Sequence, residues 1–383
     1  MLNKYLPYGL HDISKADIKE VVKVLKSDWI TTGQKIGEFE KAMCDYTGAK
    51  YAVAVSSGTA ALDLAIACLG LPPGCEAITT PLTFVASSNV LVCNGVKPVF
   101  ADINPYTLNI DVESVKKKVT ARTKLILCVD YAGQPCQIDE LKQIAKEHNL
   151  FLVEDAAHSL GAEYKGQKVG GLADLTIFSF HPVKHITTGE GGMILTNNEV
   201  AYKKLLLMRN HGIDKEVGSR VGYEYDMKVL GVNYRITDFQ CALGISQLKR
   251  LDEFIKKRRL LVELYKNAFQ CKELYEVQTI TEYQSNYDVS ECVSSWHIFP
   301  ILLPKGTNRD EVFKKMRAKN IGVNVHYIPV YRHTYYKEHY VFNQDDCPVT
   351  EDVFGRLLTL PLFPAMTQKD IARVVTALKE AIK

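Results

Sequence analysis

Apolar positions along the chain follow two rhythms, and the change between them falls near Lys50. Before it the spacing is helical. Ile18, Val21, Val22 and Leu25 share one face of a helix predicted over 15–25, and a shorter helix is predicted over 38–46 ahead of Gly48. The stretch SDWITTG, Ser27 to Gly33, reads as the break between them. From Lys50 onward, short apolar runs of strand length alternate with amphipathic stretches. The predicted strands are YAVAV (51–55), AITT (77–80), PVFADI (98–103), KLILCVDY (124–131) and LFLVEDA (150–156). Two of the intervening helices end at Gly70 and Gly95. A third is DVESVKKKV, and a fourth sets Ile138, Leu141, Ile144 and Ala145 on one face. Strands this uniformly apolar are buried on both faces, as in a parallel sheet covered by crossover helices. LTIFSF (175–180) and GGMILTN (191–197) complete the sheet and are close enough in sequence to pair antiparallel.

A long helical pattern then begins around Asn233 and runs through TDFQCALGISQLKRLDEFIKKRRLLVELYKNAF, and the domain boundary is placed within it. Residues 1–245 are expected to hold an N-terminal arm and a large α/β domain, and residues 246–383 a smaller α+β domain. The latter shows strand signals in WHIFPILLP, a helix over 310–319, a β-like VNVHYIPVY (323–331) and a last helix over 368–382. A length of 383 residues agrees with two domains rather than one.

Composition narrows the classes. Hydrophobic content of 46% with 24% charged residues is that of a soluble globular protein. A net charge of +3 with interspersed signs leaves no basic stripe, so no nucleic-acid partner is expected. The first twenty residues lack the apolar centre of a signal peptide, and no window reaches 18 apolar residues, so no membrane span is expected. Ten cysteines are scattered with no metal-finger spacing, and no metal is expected. They read as small buried hydrophobes in a reducing cytoplasm.

In open α/β sheets, ligands bind beyond the carboxyl ends of the strands. Four features stand there. SSGTAA (56–61) is a strand-to-helix switch where Gly58 lets backbone approach a ligand and the helix N-terminus offers N–H groups to an anion. Ser57 and Thr59 supply hydroxyls, or serve as an ordinary N-cap. Asp155 ends a strongly apolar strand, where a carboxylate is costly unless it meets a cation; a structural ion pair is the other reading. His158, three residues on, is placed to hold that acid, to touch a ring, or to be structural. Phe84, after TTPLT, offers either an aromatic face or a plain core side chain. Finally, LTIFSFHPVKHITTGEGG carries Ser179 and Lys184 just past a buried strand, beside a Gly-rich turn. An amine so placed is either one more solvated lysine or, depressed in pKa, a nucleophile toward a carbonyl. Together these supply an anion cradle, a carboxylate for a ring nitrogen, an aromatic lid and an imine-forming lysine, which is what pyridoxal 5′-phosphate requires. A dinucleotide would require G-x-G-x-x-G after the first strand, and the chain has none.

These segments, with WITTG, TTPLTFVAS, EDAAHSLGAEYKGQKVGG, NYRITDFQCALGISQL and VHYIPVY in the same order, resemble the fold type I, aspartate-aminotransferase-like enzymes over nearly the whole chain. More narrowly they resemble the DegT-type nucleotide-sugar aminotransferases. DYAGQP (130–135), HPVKHITTGEGG and VHYIPVY point within that family to the branch serving pseudaminic acid biosynthesis, which aminates C4 of a UDP-linked 4-keto-6-deoxy-N-acetylhexosamine. The resemblance implies a mostly parallel mixed sheet covered by helices, a cytoplasmic homodimer with shared active sites, and glutamate as amino donor. Lys184 would carry the cofactor and Asp155 pair with its ring nitrogen. Gly58, Thr59 and Ser179 would bind or flank the phosphate, Phe84 stack on the ring and His158 lie close to it. Asn233 and Arg235 would reach into the neighbouring subunit's site. Tyr8, Asp28, Trp29, Ile30, Thr31, Asn324, Val325, His326 and Tyr327 would line the sugar-nucleotide site. Two departures stand out: Ser57 where many members have Asn, and His158 where many have Gln. Members with His in place of the lysine act as dehydratases, and Lys184 argues against that. Other nucleotide-linked keto sugars (UDP-4-keto-arabinose, or GDP- or dTDP-linked 4-keto-6-deoxyhexoses) remain open as substrates, as does a cofactor-binding regulator without catalysis.

Overall fold

The computed structural model describes residues 4–214, 225–280 and 292–383. Two helices come first, α1 (Lys15–Leu25) and α2 (Gln34–Thr47). Ser14 starts α1 with a reciprocal capping box to Asp17, which satisfies two of the donors left free at a helix start. The α/β alternation follows as β1 (Tyr51–Val55), α3 (Gly58–Leu69), β2 (Glu76–Thr79), α4 (Ala86–Cys93), β3 (Lys97–Phe100), α5 (Val112–Lys118), β4 (Thr123–Val129), α6 (Ile138–His148) and β5 (Phe151–Asp155). A two-residue-stranded hairpin, β6 (Glu163–Tyr164) and β7 (Gln167–Lys168), precedes β8 (Leu175–Ser179), β9 (Gly192–Thr196) and α7 (Glu199–Met208). The hairpin and α7 are not foreseen by the hydrophobic pattern.

The large sheet has seven strands in the order β1-β9-β8-β5-β4-β2-β3. Pairs from β3 through β8 are parallel, and β9 runs antiparallel to both of its neighbours. The mixed, mostly parallel sheet is therefore as expected. Alternate residues feed opposite cores. Ala52 and Ala54 of β1 and Ile126 and Cys128 of β4 join the cluster on one face, while Val53, Val55, Leu125 and Leu127 join the cluster on the other. Burial of both pleats is why these strands lack a polar alternation.

Then come α8 (Asp238–Leu248), α9 (Leu251–Phe269), β10 (Gln278–Thr279), β11 (Cys292–Val293), β12 (Phe299–Leu302), α10 (Arg309–Ala318), α11 (Thr334–His339), α12 (Pro348–Arg356), β13 (Leu357–Leu360) and α13 (Gln368–Ile382). Strands β10, β12 and β13 make a small antiparallel sheet. Its core includes Leu261, Phe299, Ile301, Leu358, Leu360, Val374 and Leu378. Helix α9 serves both regions: Leu251 and Ile255 pack under the large sheet, and Leu261, Val262 and Tyr265 pack in the small core.

Three expectations change. The long helix after Asn233 is two helices, interrupted at Lys249 and Arg250, and the Arg250 guanidinium pairs with Asp12 at 2.8 Å and Asp17 at 3.3 Å. The 323–331 stretch is not a strand. It touches the small sheet through a single bridge, Asn324 to Thr359, and Pro329 then opens a turn of 3-10 helix. None of the ten cysteines is in a disulfide, but Cys93 is exposed and Cys44, Cys271 and Cys292 are partly so. No helix among the described residues is long and apolar enough to cross a membrane.

Candidate active site

Carboxyl ends of the parallel strands open into a cavity of about 510 Å³, roofed by the 324–327 segment of the small region. Residues Gly58 and Thr59 enter from the start of α3, Asp155 and His158 from the end of β5, and Ser179 and Lys184 from the end of β8. Tyr8, Phe84, His297 and residues 324–327 close the remaining sides.

At α3, Ser57 is the N-cap, its hydroxyl accepting the Ala60 N–H at 3.0 Å. The capping role is thus real, and the free amides of the first helical turn lie beside it in the cavity wall. Position 58 has room for glycine alone without a shift: a Cβ there would lie 2.8 Å from Ser179 Cβ and 3.0 Å from its Oγ. The strand end and the helix start are packed backbone to side chain, which leaves a polar cradle with a positive helix end.

Asp155 is buried, and burial pushes its carboxyl pKa up. Opposing that, Ser87 Oγ donates to it at 2.7 Å, the Ala157 N–H donates at 3.2 Å, and the Lys184 charge favours its ionised form. Ser87 is in turn 2.9 Å from Thr83 Oγ1. His158 does not hold the acid. Its Nε2 meets the Tyr327 hydroxyl at 3.0 Å instead, and its Nδ1 has no partner. Burial, then nearby positive charge, keeps His158 well below the usual histidine range and so neutral.

Lys184 is only partly buried as a residue, yet its amine sits in the interior and burial lowers its pKa to about 8, with Asp155 pulling the other way. At pH 7 roughly a tenth of such an amine is uncharged, far more than for an ordinary lysine, and it is the uncharged form that a nucleophile or base requires. Its Nζ is 3.5 Å from His297 Nε2. Phe84, far from being core, is 58% exposed at the mouth, 6.0 Å from the Tyr327 ring. His326 joins Thr359 Oγ1 through Nδ1 at 2.9 Å, is held down to about 3 by burial, and packs 5.3 Å from Tyr8.

The family model described as "DegT/DnrJ/EryC1/StrS aminotransferase family" matches residues 11–379. The chain belongs to this family. A UDP-4-amino-4,6-dideoxy-N-acetyl-beta-L-altrosamine transaminase of Campylobacter jejuni is 38% identical over 95% of the chain and 94% of its own. Helicobacter pylori PseC, an aminotransferase involved in the biosynthesis of pseudoaminic acid, superposes with a TM-score of 0.92 at 31% identity, covering 99% of each chain. The PLP form of Spr1654 from Streptococcus pneumoniae gives 0.89 at 30% identity over 98% of each. The fold is accordingly fold type I, and this sugar aminotransferase uses pyridoxal phosphate. The donor set fits that group: an anion cradle at Gly58, a buried carboxylate facing a buried amine, and an exposed aromatic over the opening.

Of the residues singled out from sequence, Tyr8, Gly58, Thr59, Phe84, Asp155, His158, Ser179, Lys184, Asn324, Val325, His326 and Tyr327 line the one cavity. Asp28, Trp29, Ile30, Thr31, Asn233 and Arg235 do not. They lie together elsewhere: the Asp238 N–H reaches Ile30 O at 3.0 Å, Thr31 bridges Thr237, and Arg235 Nη1 reaches Asn210 Oδ1 at 2.6 Å. Ser87 and His297 escape sequence reading. Ser87 is detectable in principle, as a hydroxyl in the first turn of α4 within the TTPLTFVAS motif. His297 sits in the bend two residues ahead of β12, far along the chain, and gives no local signal.

Proposed function

We propose that the enzyme transfers the amino group of glutamate to C4 of a UDP-linked 4-keto-6-deoxy-N-acetylhexosamine, a step toward pseudaminic acid. The similarity to the Campylobacter altrosamine transaminase, shared by the Helicobacter pylori enzyme, carries this reading. Pyridoxal phosphate, when bound, supplies a carbonyl that accepts amino groups and a ring that takes up the electrons of a broken C–H bond. Gly58, Thr59 and Ser179 would hold its phosphate, Phe84 would cover its ring and Lys184 would secure it covalently. Asp155 would keep the proton on the ring nitrogen, and Ser87, donating to Asp155, favours the ionised carboxylate this needs. Lys184 Nζ, its pKa lowered to about 8, would carry the proton between donor carbon and cofactor, as general base and then acid. Glutamate leaves as its keto acid, and the same steps run backward aminate the sugar ketone.

Cofactor phosphate, nucleotide diphosphate and glutamate are all anionic, yet the cavity lining contains no arginine and Lys184 as its one lysine among the described residues. A second subunit is the economical source of cations, with Asn233 and Arg235 reaching across. The neighbouring surface is apolar enough to be covered: Trp29 is 65% exposed, Tyr225 68% and Leu230 82%. Such a homodimer completes two sites at once. Ten cysteines without a disulfide accord with the cytoplasm.

The deciding experiment offers purified enzyme and glutamate a panel of UDP-, GDP- and dTDP-linked keto sugars and determines product configuration. The reading expects the UDP-linked 4-keto-6-deoxy-N-acetylhexosamine to have the highest kcat/KM. Preference for another sugar, or a yellow protein that glutamate does not bleach, overturns it.

A further inference from the structure

His297 stands 113 residues from Lys184 in sequence, yet its Nε2 is the one side-chain atom among the described residues at hydrogen-bond range from the Lys184 amine, 3.5 Å away. That is the outer limit of such a bond. The ring makes no other polar contact, because its buried Nδ1 has no partner. It packs instead among imidazoles, 4.4 Å from His158 and 5.5 Å from His185. A buried imidazole with one nitrogen idle is costly, so its retention here needs a cause.

The backbone that delivers this ring is held from several directions. The Ser295 N–H donates to Gly133 O at 3.0 Å and the His297 N–H to Ala132 O at 2.9 Å. Gly133, at φ +101, lets the segment come so close that a Cβ would lie 2.7 Å from the Trp296 nitrogen. Trp296 itself adopts φ +51, a left-handed conformation that a bulky residue keeps only when its surroundings enforce it. The buried Arg258 guanidinium, which meets no carboxylate among the described residues, donates through Nη1 to Trp296 O, His297 O and Leu362 O at 3.3, 2.8 and 3.1 Å. Behind it, His185 Nε2 donates to Ser295 O at 3.1 Å. Strain, a close glycine contact and a buried cation all converge on the placement of one ring.

We propose that His297 is a positioning residue that aims the Lys184 amine into the cavity during the part of the cycle when that amine is free. It rests on the reading of Lys184 as the cofactor lysine. A lysine stem has four rotatable bonds, and misplacing a reacting group by about 1 Å costs on the order of a hundredfold in rate. Asp155, on the neighbouring strand, opposes the amine in charge but bonds Ser87 and Ala157 rather than Nζ.

Apoprotein tests this directly through the rate at which it takes up pyridoxal phosphate, followed by absorbance. At about pH 9.5 the Lys184 amine, with its pKa of about 8, is neutral in wild type. A slower uptake there therefore reports aim and not protonation. H297L is expected to take up the cofactor roughly tenfold more slowly, and H297Q, whose amide can reach the same place, within about threefold of wild type. Equal rates for H297L and wild type overturn the proposal. Should H297L not fold, imidazole 15N signals of wild-type apoprotein decide. The His297 Nε2 signal should move as Lys184 titrates near pH 8, and a static signal overturns the proposal. The other groups facing that amine are Asp155, Glu190, His158, His326, Tyr8 and Tyr327, with Arg258 behind His297. Of these, burial holds His158 and His326 below and Tyr8 and Tyr327 above their usual ranges, away from the Lys184 step. Wild-type apoprotein that takes up no cofactor at all would instead overturn the role given to Lys184.

Discussion

The Tyr327 hydroxyl and His158 Nε2 lie 3.0 Å apart, joining the roof segment of the small region to the loop after β5. Because His158 Nδ1 has no partner, that bond is the ring's one polar anchor. Tyr327→Phe should destabilise the apoprotein by about 1–3 kcal/mol, the cost of leaving a buried nitrogen unsatisfied. His158→Gln, whose amide can meet the same hydroxyl, should cost less than about 1 kcal/mol. Urea unfolding of both variants checks the pair; equal losses would contradict the anchor.

Lys184→Met should abolish turnover while making the apoprotein more stable at pH 7. The buried amine has a folded pKa of about 8 against an ordinary 10.5. Between those values the unfolded chain binds more protons, so stability rises with pH there. Below about pH 8 the full penalty applies. Removing the amine should recover roughly 2–4 kcal/mol at pH 7, and nothing above about pH 10.5. Denaturant midpoints at the two pH values measure it.

Ser87→Ala removes the hydroxyl that favours the ionised form of Asp155. Loss of that donor raises the carboxyl pKa. The acid limb of kcat/KM should therefore move upward by roughly one pH unit, with the alkaline limb unchanged. A pH–rate profile whose acid limb stays in place would contradict the assignment.

Gly58→Ala places a methyl 2.8 Å from Ser179 Cβ, so the start of α3 and the end of β8 must part. Cofactor retention should fall by about tenfold or more, since the amides of that turn are the anion cradle. Dialysis followed by absorbance of retained cofactor reads the effect, and the fold should survive by circular dichroism.

What sequence reveals here follows from the range of the interactions. Strands β1, β4 and β5 announce themselves because both of their faces are apolar. Asp155 and Lys184 stand out because each follows such a strand with a polar group that burial makes expensive. The 323–331 stretch has the alternation of a strand but does not form one, since Asn324 commits both its backbone groups to Thr359 and the chain then turns to place His326 and Tyr327. Ser87 hides among ordinary first-turn hydroxyls. His297 is invisible for a different reason: its place beside Lys184 is set by contacts with Ala132, Gly133 and Arg258, none of them near it in the chain. Residues 28–31, 233 and 235 carry a family signature, yet in one chain none of them lines the cavity that holds Lys184.

Arg258 lies one turn beyond the point where α9 leaves the large core, and its three carbonyl partners all come from later in the chain. For anyone exchanging C-terminal halves between relatives to alter sugar choice, the joint matters. A splice in the turn between α8 and α9 transfers Arg258, the His297 segment and Leu362 as one inherited unit. A splice further along α9 would ask one parent's guanidinium to hold the other parent's backbone, and the first casualty would be the reactivity of a lysine that neither parent had changed.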